Sequence, residues 1–287
     1  MEIDVTRLSF QPPDMTTKRQ QILGTAWMSA ILATITFTSA TLNGAEVNSD
    51  ASWRALSLIT DGKVDTNWIH VGWGGFVVDD GTLRTDPAAK GLGLLVYQKE
   101  RLGNCQIRVV FKTKEAKCNS GVYVRLADGI LAQVGKPGAA FDRDAAGNIS
   151  KASMELVKES GERDEGPWYA VHHGYEVQIA DTGDAMHRTG AIYSLTPSSA
   201  NVQKPGVWRT MVITLAGERI SAELDGRRVS FLDLSGSALP PRTQWHEPKR
   251  EPKRPEAGYI GLQNHDPGDI VWFKEVSVRP VPSPSAR

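Results

Sequence analysis

Three short stretches carry polar side chains two positions apart inside otherwise apolar runs. They are Tyr123 and Arg125 in Gly121 to Leu126, Glu176 and Gln178 in Tyr175 to Ile179, and Gln263 and His265 beside Leu262. In an extended strand successive side chains alternate between two faces, so residues two apart share one. Each pair therefore presents a polar face, while Val122, Val124, Val177, Ile179 and Leu262 present the opposite, apolar one. If the three strands share a sheet, their polar faces combine into one groove. Such a groove can run acid–base chemistry: a base takes a proton, a cation or donor holds the developing negative charge, and an acid serves the departing group. Glu176 is the candidate base. His265 is the second candidate and can also protonate a leaving group, and Arg125 is the candidate cation. Tyr123, Gln178, Asp181, Tyr193, Gln263 and Asn264 are candidate ligand-binding residues. Plainer roles stay open: a cross-strand ion pair for Arg125 and Glu176, a turn cap for His265, a core position for Tyr193.

Positioning these side chains takes a rigid sheet, and the rest of the chain supplies one. Gly75 to Asp79, Leu94 to Tyr97, Gln106 to Lys112, Trp208 to Leu215, Ile220 to Leu224, Arg228 to Leu232 and Ile270 to Val278 read as further strands. Asp79-Asp80-Gly81 and Asp225-Gly226 are tight-turn signals between neighbours. The best helical stretch is Ser153 to Ser160, inside a long loop. Many short strands with few helices predict an all-β jelly-roll sandwich, its last strands pairing with early ones. One domain covers residues 46–282, with a short tail at 283–287. Two connections are long. The one from Ala127 to His172 reads either as a functional lid or as a solvated loop. The one from Gly236 to Gly258, with the run Lys249-Arg250-Glu251-Pro252-Lys253-Arg254, reads as solvated.

Composition narrows the function classes. Lys plus Arg is 33 and Asp plus Glu is 33, which argues against a nucleic-acid binder. Lys18 and Arg19 precede an uncharged run from Ile22 to Ala45, the pattern of an export signal over residues 1–45. Cleavage would follow Ala40 or Ala45, placing the mature chain in the periplasm or outside the cell, free of the membrane. An uncleaved anchor is the alternative, since the run is long enough to span. The two cysteines, Cys105 and Cys118, invite a disulfide in that compartment. A hairpin centred near Glu115, however, sets Cys105 opposite the region of Arg125. His172-His173 looks metal-like, but neighbouring strand residues point apart; His187 lies in a loop bordering the groove. Asp, Asn and carbonyl groups could hold calcium, yet no loop has the required spacing, and no cofactor is expected. Neither a Gly-x-Ser-x-Gly elbow nor a phosphate-binding glycine loop is present.

Several segments fall in one order along nearly the whole mature chain. They are Asp61-Gly62-Lys63 with Trp68, Phe76 to Leu83, Asn119 to Arg125, Gly174 to Asp181, Thr189 to Tyr193, Gly206 to Trp208, Leu224 to Gly226, Gly258 to His265 and Val271 to Val276. Together they resemble the 3-keto-disaccharide hydrolase domain family. The resemblance implies a concanavalin A-like sandwich and, as ligands, glycosides already oxidised to a ketone at C3 of a sugar ring. A C3 ketone acidifies the C2 proton; once a base removes it, the C1 group leaves by β-elimination and water adds back. On that expectation Glu176 takes the C2 proton, Arg125 holds the keto oxygen or orients Glu176, and His265 protonates the leaving group. The paired carboxylates of ordinary glycoside hydrolysis are not needed. This chain departs from the family in three places. Arg209 stands after Trp208 where members carry Asn, the loop between Arg125 and Gly174 is longer, and Asp266-Pro267-Gly268-Asp269 replaces a shorter turn. A carbohydrate-binding module with Trp73, Trp168 or Trp245 as platforms, or an adhesion domain, would use the same fold. Convergence of Glu176, Arg125 and His265 in one closed groove is what separates the enzyme from both.

Overall fold

Apolar residues at every second position make strands with one buried face, and two such sheets close on each other. The computed structural model describes residues 52–282 except 89, 202, 203 and 237. The export segment read in residues 1–45 and the tail 283–287 lie outside the described residues. In chain order the strands are β1 (Arg54–Ala55), β2 (Ile59–Thr60), β3 (Lys63–Val64), β4 (Trp68–Gly72), β5 (Gly75–Asp79), β6 (Thr82–Asp86), β7 (Gly93–Leu102) and β8 (Cys105–Thr113). They continue as β9 (Ser120–Leu126), β10 (Tyr175–Ile179), β11 (Arg209–Ala216), β12 (Arg219–Leu224), β13 (Arg227–Asp233), β14 (Gly258–Asn264) and β15 (Val271–Pro280). One antiparallel sheet runs β13-β12-β11-β8-β15-β6-β5, with β1 also on β15. The other runs β10-β9-β14-β7-β4, and β2 and β3 form a separate small pair. The closing strand β15 pairs with β1, β6 and β8, as a jelly roll requires.

The main core lies between the sheets. Ile107, Val109 and Phe111 of β8 and Met211, Ile213 and Leu215 of β11 face Val122, Val124, Val177, Ile179 and Leu262 of the opposite sheet. Each is fully buried, and burying one such side chain stabilises the fold by about 1.5–3 kcal/mol. The long insert after β9 forms a third layer. A 3-10 turn (Asp128–Gln133), α1 (Lys151–Glu162) and α2 (Trp168–His173) lie on the outer face of the five-stranded sheet. Ile130, Val157, Trp168 and Val171 pack there against Val71, Leu94, Val96 and Leu126. The helix read from Ser153 to Ser160 is thus α1, started two residues earlier and capped by the Ser150 side chain, which accepts a hydrogen bond from Ser153 N at 3.2 Å.

Three expectations are corrected. β8 and β9 lie in different sheets, so no hairpin joins them. Cys105 is opposite Leu215 and Pro280, and both thiols are buried and free. His172 and His173 sit on α2 rather than on a strand, and they serve separate partners. Lys249 N donates to His172 Nδ1 at 3.2 Å, while His173 Nε2 meets Asp164 at 3.0 Å. The basic run after Gly236 is not a solvated face. Arg250 donates to Pro240 O at 2.6 Å, and Arg254, 5% exposed, donates to Lys249 O at 2.6 Å and Gly174 O at 3.2 Å. Guanidinium groups spent on carbonyl oxygens hold this segment against the sheet, because a chain without strand partners must satisfy its carbonyls some other way.

Arg209, the family departure, has a structural task. Its Nη1 donates to Asp181 Oδ1 at 2.9 Å, and the two side chains are 3% and 1% exposed. Asp181 follows β10 in one sheet and Arg209 opens β11 in the other, so the pair ties the sheets together. Thr189 Oγ1 also donates to Asp181 at 2.7 Å. Removing one partner of a buried pair strands the other charge. Asp181→Asn is therefore expected to lower the unfolding free energy by about 3–5 kcal/mol in urea titrations. Ligand affinity of the folded fraction should stay unchanged; a variant as stable as the parent would contradict the assignment.

Candidate functional site

The outer face of the five-stranded sheet and the insert above it form a half-open pocket of about 220 Å³, concave as small-molecule sites are. Its floor is polar. β9, β10 and β14 are adjacent, and the register sets Glu176 opposite Tyr123. Alternation then brings Tyr123, Glu176, Gln178 and Gln263 to the cavity together. Tyr123 donates from its hydroxyl to Glu176 Oε2 at 2.8 Å and accepts from Gln263 Nε2 at 3.3 Å. Gly121, one place along the same face, leaves the room the carboxylate needs. A Cβ there would come within 2.2 Å of Glu176 Oε1, so the acid lies flat over bare backbone.

Glu176 is 8% exposed. Burial pushes its carboxyl up to about 7, against the opposing effects of the Tyr123 hydroxyl, His265 and the Gln263 amide. A carboxyl poised near neutrality is suited to taking and returning a proton. Burial and the Glu176 charge also push the Tyr123 and Tyr193 phenols up, so both remain hydrogen-bonding hydroxyls at neutral pH. His265 lines the cavity beside Asp266. Its Nδ1 is held by Asp269 Oδ2 at 2.9 Å, which leaves Nε2 as the ring nitrogen for a ligand. The unusual turn thus has work at both ends, since Asp266 pairs with Arg143 of the insert. Tyr193 reaches the cavity with its hydroxyl 2.9 Å from His246 Nδ1. Burial pushes the His246 imidazole down, towards its neutral form.

Six of the nine site residues read from the sequence meet here: Glu176, His265, Tyr123, Gln178, Tyr193 and Gln263. The other three do not. Arg125 does not share a face with Tyr123, because the β9–β14 register slips between Tyr259 and Gly261. Two residues of β9 oppose Ile260 there, a bulge with Arg125 in the left-handed region at φ 52°. The side chain is turned across the sandwich and donates to Gly217 O between β11 and β12. The bulge relies on Gly258, where a Cβ would sit 2.5 Å from Leu126 O. No Arg125–Glu176 ion pair can form across that bend. Asp181 is consumed by Arg209, as described above. Asn264 is one residue past Gln263 and takes the opposite face, fully buried, donating from Nδ2 to Trp73 O at 3.1 Å.

Other lining residues escaped sequence reading. Asn119 has the parity of Gly121 and Tyr123, so extending the alternation two residues back would have found it. His246 comes from the segment read as solvated, and no local signal marks it, whereas its neighbour Trp245, a candidate platform in the sequence, does line the pocket. The insert provides the wall opposite the floor: Phe141, Ile149, Met154, Val157, Trp168 and Val171. Trp168 and Trp245 pack with ring centroids 5.1 Å apart, whereas Trp73 is under the Lys90 ammonium and off the cavity. His187 stands behind Tyr193, ring centroids 5.0 Å apart, with Nε2 on Ser194 Oγ at 2.9 Å. Among the described residues, no three His, Cys, Asp or Glu side chains cluster as ligands for a metal ion.

Comparison with known proteins agrees with this architecture. A putative glycosyl hydrolase from Parabacteroides distasonis ATCC 8503 superposes with a TM-score of 0.52 at 16% identity, over 79% of this chain and 94% of its own. A second putative glycosyl hydrolase from that organism gives 0.49 at 22% identity, over 80% and 100%. A carbohydrate binding module from Bacillus subtilis gives 0.42 at 12%, over 75% and 96%. At 16% identity the first of these likenesses is one of fold. No curated protein matches the chain. The model of the 3-keto-alpha-glucoside-1,2-lyase-like domain matches residues 52–279, from β1 to the end of β15, and the chain belongs to that family.

Proposed function

We propose that this protein cleaves glycosides already oxidised to a ketone at C3, with Glu176 as the base that removes the C2 proton. The observation that carries the reading is a carboxylate buried beneath the Tyr123 hydroxyl and raised to about 7, at the floor of a half-open pocket. Removing the C2 proton moves its electron pair into an enolate conjugated with the C3 carbonyl. The pair then forms the C1–C2 double bond as the C1–O bond breaks. The leaving oxygen takes a proton, for which His265 is the candidate donor through Nε2, its Nδ1 being held by Asp269. Addition of water at C1 and return of a proton to C2 complete a net hydrolysis. Arg125 has no part in this scheme. Neutral donors replace it at the enolate oxygen, drawn from the Gln178 and Gln263 amides and the Tyr193 hydroxyl, and such preorganised donors are effective where water is excluded. Two of the three groups whose convergence separates an enzyme from a binding module, Glu176 and His265, meet in the cavity.

The pH behaviour follows from the direction of the Glu176 shift. The base must be ionised, so kcat/KM on a 3-keto glucoside should rise with pH to a plateau, with its midpoint near 7. Glu176→Gln should lower it by about 10²–10⁴-fold. Stability moves the other way. The native state holds a proton that the unfolded chain releases near 4.5, so this contribution is complete below that pH and is lost as pH rises through about 7. Glu176→Gln should consequently gain roughly 3 kcal/mol over the parent between pH 4 and pH 8 in denaturant titrations. A parallel pH dependence in both proteins would oppose a raised Glu176. Gly121→Ala offers a steric check: the added methyl displaces the carboxylate, and activity should fall at least tenfold while Tyr123 and Glu176 remain present. Undiminished activity would show that the flat carboxylate geometry is not used. Export belongs to the same proposal. Sequencing the protein recovered from periplasm or medium should begin at Thr41 or Glu46, and a full-length cytoplasmic chain would contradict it.

A further inference from the structure

The cavity has two unlike halves, and only one of them suits a sugar. The floor offers a carboxylate, amides, phenols and imidazoles to hydroxyl groups. The facing wall offers Phe141, Ile149, Met154, Val157 and Val171, side chains without a hydrogen-bonding atom. Trp168 belongs to that wall with its indole 7% exposed. The wall comes from the long segment between β9 and β10. It is held in place by more than its own packing: Arg143 pairs with Asp266 at the rim, and Arg242 pairs with Glu162 of α1 at 2.8 Å. A permanent apolar wall is costly to leave wet and selects what covers it.

Building on the proposed reaction, we infer that the group attached at C1 is apolar, an alkyl or aryl aglycone, and that this protein is not primarily a disaccharide-cleaving member of its family. C1 is bonded to C2. With the C2 proton at Glu176 on the floor, the C1 substituent projects into the remaining space, against the insert. A second sugar there would bring hydroxyls against Ile149 and Met154, backed by the buried Phe141, Val157 and Val171, and each buried unpaired hydroxyl is penalised. A hydrocarbon or aromatic aglycone gains instead, because every buried methylene contributes favourable transfer energy. Ile149 and Met154 are the partly exposed members of the wall, and they are the specificity-determining positions.

The test is a homologous series of 3-keto glucosides bearing methyl, propyl, butyl and hexyl groups at C1, with a 3-keto disaccharide of the same anomeric form alongside. Leaving-group basicity is nearly constant among the alkyl members, so rate differences report contact. The purified mature protein should show kcat/KM rising about two- to fourfold per added methylene, with the hexyl compound above the disaccharide. Met154→Gln and Ile149→Asn should each flatten that rise. The slope is a ratio within one preparation, so loss of folded protein does not imitate the effect. A flat series in the parent, or a disaccharide cleaved faster than the hexyl compound, overturns the aglycone assignment while leaving the reaction standing. Failure to cleave any 3-keto compound, including the methyl one, overturns the reaction, and the assignment falls with it.

Discussion

A carboxylate buried on the floor of a pocket is expensive unless it gives up its charge or finds donors. Glu176 does some of each. Its carboxyl is raised to about 7, and the Tyr123 hydroxyl stays bonded to Oε2 at 2.8 Å. Much of the surrounding architecture can be understood as what keeps that group dry and aimed. β9 and β14 carry its hydrogen-bonding neighbours in register, Gly121 clears the space beneath it, and the insert forms one side of the pocket above it.

The sandwich and the insert divide the labour. Between the sheets lies an ordinary β core whose opposed strands define backbone positions on the floor with little freedom. Over the floor sits a smaller, separate cluster built largely from the insert. Its attachments are ion pairs and side chain–carbonyl bonds, made by Arg143, Arg242, Lys249 and Arg254. The proposed chemistry falls to the rigid layer, and the proposed recognition surface to a connection that can lengthen without disturbing strand register.

Strand alternation was legible because the sheet obeys it locally. Tyr123, Glu176, Gln178 and Gln263 came from period-two spacing alone, and the same spacing would have added Asn119. The reading failed where a non-local feature intervened. A bulge against β14 turned Arg125 to the far side, and nothing in Gly121 to Leu126 announces that slip. Asp181 stands three residues past Gln178, but its partner Arg209 is 28 residues further along. The charge run after Gly236 misled for a different reason. Composition marks cations as solvated, whereas here neighbouring carbonyl oxygens receive them, and the fold alone reveals those neighbours. His246 and the apolar wall depend on the same tertiary packing.

Proton removal at C2 is the central step of the proposed reaction, and deuterium at that carbon interrogates it directly. The rate constant kcat/KM would be compared for a 3-keto glucoside carrying hydrogen or deuterium at C2, below and above neutrality. The account predicts slower cleavage of the deuterated compound at both pH values, with no cleavage of the parent glucoside that lacks the ketone. Equal rates for the two isotopologues, together with cleavage of the unoxidised parent, would contradict it.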